Sequence, residues 1–67
     1  MQVRLIMIPE RDVRVYEGED GDTYEDALQA LDFNPDTVLI FHNGKSVPQD
    51  KKIDEEEVEI FQTCSRG

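Results

Sequence analysis

The sequence predicts an α+β domain: a mixed sheet with one helix packed on one face. Three observations predict it. Apolar and polar residues alternate near both ends of the chain, with the period of two that a half-buried strand requires. One stretch alone, residues 23–31, carries helical spacing behind a capping residue. Asn43-Gly44 separates two strand-like segments and is a strong hairpin signal, because both positions tolerate the positive φ of a type I′ turn. A hairpin, a helix and then more strands confine the helix to one face of the sheet.

Each element follows from its residues. Residues 2–8, QVRLIMI, set Val3, Leu5 and Met7 on one side and Gln2, Arg4, Ile6 and Ile8 on the other. Residues 9–12 read as a turn, since Pro9 presets φ and Asp12 can bond nearby backbone. Residues 13–17 alternate again and close an antiparallel hairpin. Residues 18–22 are loop. Thr23 has N-cap chemistry, and Asp26 three residues on supplies a weak capping box. Tyr24, Ala27, Leu28 and Leu31 then form one apolar stripe over about two turns of helix. Asn34-Pro35 stops helical continuation, because a residue before proline avoids the α region. Residues 37–42, TVLIFH, are the most strand-like in the chain, with both faces hydrophobic, and residues 45–47 return as a short strand that Pro48 confines to an edge. Residues 49–57 read as polar loop, and residues 58–64 as the last strand, with Val58 and Ile60 facing one way and Glu59 and Phe61 the other. The helical crossover lets the first and last strands lie side by side, parallel, in the middle of the sheet.

The chain has 67 residues, so it makes one domain with a thin core; at this size folding buries roughly 60% of the unfolded surface. Sixteen acids against seven bases give a net charge of −9. That balance disfavours nucleic acid and anionic membranes as partners, since phosphate contacts need clustered Lys and Arg. It fits a solvated surface, steering toward a basic partner, or a salt-adapted cytoplasm. Arg4 and Glu10 interrupt the first apolar run, so no signal peptide is expected, and no stretch approaches the ~20 residues of a membrane span. One cysteine makes no internal disulfide, and Cys64 with the lone His42 makes no structural zinc site. A cytoplasmic location and a monomer are the expectations.

At these residues the chain resembles the ubiquitin-like β-grasp family, and within it the thiamine and molybdopterin sulfur carriers and the small archaeal modifier proteins. The likeness rests on MQVRLIMI, on the capped helix TYEDALQAL, on FNPDTVLIFHNGKSVPQD, and on a last strand running into Gly67. It covers essentially the whole chain and implies a β-grasp domain over residues 1–64 with a flexible tail, residues 65–67. It implies a carrier rather than an enzyme. An E1-like adenylating partner, which uses the ATP, activates the Gly67 carboxylate. The product is a thiocarboxylate for a sulfur-accepting enzyme, or a thioester passed to lysines of target proteins. The chain itself then needs no cofactor. Glycine suits a narrow channel because it has no side chain. Ser65 and Arg66 belong to the segment a partner grips, and Arg66 stands where the family normally carries a second glycine.

The residues point to a partner face as well. With Leu39 and Phe41 turned toward the helix, Ile40 and His42 face outward, join Phe61, and are extended by Ile6; the opposite parity, Val38 and Ile40 inward, is the alternative. An exposed apolar cluster on so acidic a chain marks a contact surface. Cys64 reads as a small semi-buried side chain or as a thiolate beside Arg66. No nucleophile–base pair or phosphate loop is legible, so an enzyme is not expected. A β-grasp domain that is never activated, and binds through its apolar sheet face, is the second functional reading.

Overall fold

The computed structural model describes residues 1–63. The elements are β1 (Gln2–Ile8), β2 (Asp12–Glu17), α1 (Tyr24–Ala30), a 3-10 turn (Pro35–Thr37), β3 (Val38–His42), β4 (Lys45–Val47) and β5 (Glu57–Gln62). Five strands form one sheet in the order β2-β1-β5-β3-β4. β1 and β5 are parallel neighbours, with Leu5 opposite Val58 and Met7 opposite Ile60, and every other pairing is antiparallel. A parallel pair needs a long crossover, and the chain supplies it through α1. This is the α+β, β-grasp arrangement expected from the sequence. The expected tail, residues 65–67, and Cys64 lie outside the described residues. Among the described residues no helix is long and apolar enough to cross a membrane.

One side of the sheet meets the helix. Val3, Leu5 and Met7 of β1, Val58 and Ile60 of β5, and Val38 and Ile40 of β3 pack with Tyr24 and Leu28 of α1, all 7% exposed or less. Burying one such side chain stabilises the fold by about 1.5–3 kcal/mol. The core is therefore a single layer between one helix and one sheet face.

Local chemistry fixes both ends of α1. Thr23 accepts from the Asp26 amide at 3.2 Å, and the Asp26 carboxylate accepts from the Thr23 amide at 2.9 Å, a complete capping box. The helix stops at Ala30, before Asn34-Pro35 is reached. Asp32 takes φ 69°, its amide donates to Gln29 O, and the Phe33 amide donates to Leu28 O at 2.8 Å. That is a Schellman closure, and Phe33 completes it by packing against the core. Glycine usually holds the left-handed position, so an aspartate there left no plain mark in the sequence.

The segment before β5 is tied down more firmly than a polar loop suggests. The fully buried Tyr24 aims its hydroxyl at this segment: the oxygen accepts from the amides of Asp54 and Glu55 at 3.2 and 3.1 Å, and the proton goes to Asp54 Oδ1 at 3.0 Å. Gln49 Nε2 donates to Pro35 O and Val38 O at 2.9 and 3.0 Å.

The inward parity of β3 is the reverse of the one favoured from the sequence. Val38 and Ile40 are buried, at 2% and 1% exposed, while Leu39 is 47% exposed. The two-residue Asn43-Gly44 turn, with φ 52° and 81°, pairs His42 with Lys45, Phe41 with Ser46 and Ile40 with Val47. Val47 is the one apolar residue of β4, so the hairpin puts Ile40 inward with it. Ile60 opposite Ile40 on β5 imposes the same parity.

Candidate functional site

The face of the sheet away from α1 is built by strand alternation. On β5 the inward pair Val58 and Ile60 leaves Glu57, Glu59 and Phe61 on the other side. On β3 the same logic leaves Leu39 and Phe41. The pairings then stack these positions in rows. Ile8, Phe61 and Leu39 form one row; Ile6, Glu59, Phe41 and Ser46 form the next. β2 extends the second row through Val13, opposite Ile6, and sets Val15 opposite Arg4. Val13, Val15, Leu39 and Phe61 are 36–49% exposed. An apolar band thus crosses four of the five strands in a chain of net charge −9.

Phe61 and Phe41 meet edge to face, with centroids 5.2 Å apart and planes at 80°. Such a pair contributes about 0.5–1.5 kcal/mol beyond its buried area, so it holds both rings in place. Leu39, Phe41, Gly44, Glu59 and Phe61 line a shallow hollow whose surface is mostly apolar. On the same face Arg4 pairs with Glu57 at 3.4 Å, both about half exposed. An exposed pair of that kind adds little stability. Among the described strand residues Arg4 is the one cation of this face, and the pair commits it to an existing partner.

Of the residues expected on this face, Phe61 is there and Ile6 flanks it. Ile40 is not: it is a core residue at 1% exposed, because its hairpin partner Val47 and its β5 partner Ile60 both face the helix. His42 shares the parity of Ile40 and lies beside the band rather than within it. Its Nδ1 donates to Glu57 O at 3.0 Å and its Nε2 lies 3.2 Å from Glu55 Oε1. Leu39 and Phe41 take the places assigned to Ile40 and His42. The signal for this was present: counting back from a two-residue Asn-Gly turn pairs Val47 with Ile40 and Ser46 with Phe41.

Ser65, Arg66 and Gly67 lie outside the described residues. The chain reaches them from a fixed point. β5 lies between β1 and β3, and the Thr63 amide donates to Thr37 O at 2.8 Å, beyond the last ladder pair of Val38 and Gln62.

The family model described as Small archaeal modifier protein 2 matches residues 1–63. A curated relative from Haloferax volcanii, named Small archaeal modifier protein 2, is 28% identical over 67 residues, covering 100% of both chains. The family match spans every element of the sheet and the helix it grips, and the chain belongs to the small archaeal modifier protein 2 family.

Proposed function

We propose that this chain is a ubiquitin-like modifier or sulfur carrier that acts through the carboxylate of Gly67. An E1-like enzyme joins that carboxylate to the α-phosphate of ATP and releases pyrophosphate. Sulfide displaces AMP from the acyl-adenylate to leave a thiocarboxylate, or a cysteine thiolate displaces it to give a thioester that a lysine amine resolves into an isopeptide bond. The chain supplies the carboxylate and the surface that positions it; the partner supplies nucleotide and nucleophile. The family match over residues 1–63, which ends just before this terminal segment, carries the reading. The central place of β5 supports it, because a strand held on both sides fixes the point, at Gln62, from which the chain runs on toward Gly67.

The exposed band of Leu39, Phe41 and Phe61 favours a second reading, a docking domain that is never activated. The two separate in an ATP–pyrophosphate exchange assay with the E1-like enzyme of the same cell. Activation requires exchange that depends on this chain and disappears when Gly67 is deleted, with the circular dichroism spectrum unchanged. Exchange that is absent with the full chain, while the two proteins still bind, leaves the docking reading.

A further inference from the structure

We propose that the outer sheet face docks a partner segment bearing a basic side chain among apolar ones, and that Glu59 is the counter-charge that selects it. Glu59 lies in the middle of the apolar band. Its register neighbours are Ile6 on β1 and Phe41 on β3, with Phe61 next along its own strand face. It is half-buried there and borders both hollows that flank Phe41. Among the described residues it makes no ion pair or side-chain hydrogen bond, whereas Glu57 on the same strand face is held by Arg4. A half-buried carboxylate among apolar side chains loses its remaining water when a partner covers it, and that loss costs free energy unless the partner brings a group that offsets it. A cation brought to it, with water displaced by Ile6, Phe41 and Phe61, is attracted more strongly than one at a wet surface. The edge-to-face rings of Phe41 and Phe61 add a π surface for the same cation.

The charge distribution decides the occupant. A second copy would bring another chain of net charge −9, and two-fold pairing through the centre of this face would bring Glu59 toward its own mate. Nucleic acid and anionic lipid meet the same repulsion. A protein segment of the pattern apolar–basic–apolar satisfies the band and the carboxylate together. The inference rests on the carrier reading only in that a carrier must be recognised by partners; it makes no use of Gly67.

The test is an amide-shift titration of the ¹⁵N-labelled full chain, at low salt, with capped Ser-Leu-X-Leu-Ser peptides in which X is arginine, norleucine or glutamate. The arginine peptide shifts the amides of Ile6, Phe41, Glu59 and Phe61 and binds roughly fivefold tighter than the norleucine peptide, the scale of a well-placed ion pair. Glu59→Gln erases that preference and leaves norleucine binding as it was, and Glu59→Lys transfers it to the glutamate peptide. Deleting Gly67 changes none of these results, so a failure of activation and a failure of docking are told apart. Absence of shifts on this face with the arginine peptide overturns the proposal. So does an arginine preference that survives Glu59→Gln, or a self-association in sedimentation that this face mediates.

Discussion

At the scale of the residue, two tyrosines do work that a helix-and-strand pattern does not announce. The Tyr24 hydroxyl satisfies two backbone amides and one carboxylate in the turn before β5. Tyr24→Phe keeps the buried ring and strands the amides of Asp54 and Glu55; urea unfolding should show a loss of about 1–3 kcal/mol. Tyr16 donates to Asp22 Oδ2 at 2.6 Å, and the same oxygen accepts from the Glu19 amide at 3.0 Å. The shared proton pushes Tyr16 up to about 12 from 10.0 and holds Asp22 below its ordinary 3.8. The folded chain keeps the Tyr16 proton after the unfolded chain has lost it, so this contribution is complete below pH 10 and fades as pH rises toward 12. The Asp22 contribution is complete above 3.8 and fades as pH falls below it. Urea midpoints measured across both windows should fall at each end, and Tyr16→Phe should flatten both slopes. Gly18 belongs to the same cluster, since a Cβ there would run into the Tyr16 ring and the Asp22 carboxylate.

At the scale of the element, the hairpin of β3 and β4 decides which side of the sheet is core and which is surface. Ile40→Ala removes a packed side chain and should cost about 2–5 kcal/mol. Leu39→Ala, one residue away on the other face, should stay within about 0.5 kcal/mol. Comparable losses at both sites would contradict the parity. The strands, the helix and its capping box were legible because each rests on local periodicity or a side chain three residues away. So was the Asn43-Gly44 turn. The parity of β3 was harder to read because Val38 through Phe41 are all apolar, and alternation carries no signal when both faces are greasy. The neighbouring strands break the tie, through Val47 on β4 and Ile60 on β5. Glu59 was legible as outward-facing, but its place between Ile6 and Phe41 depends on the register of three strands. The two-turn length of the helix was legible from its apolar stripe, but its closure at Asp32 was not, because glycine usually marks that position.

At the scale of the whole molecule, a sheet with both faces apolar divides two tasks. Among the described residues one face and one helix make the core; the other face is left open on an acidic surface. β5 joins the two tasks, since it lies between β1 and β3, supplies Glu59 and Phe61 to the open face, and leads toward Gly67. The most direct measurement is the intact mass of the full chain after incubation with an E1-like enzyme, ATP and a sulfide source. The activation reading expects the gain of one sulfur for one oxygen, confined by fragmentation to Gly67. A mass that stays unchanged while the enzyme and the chain form a stable complex would contradict it.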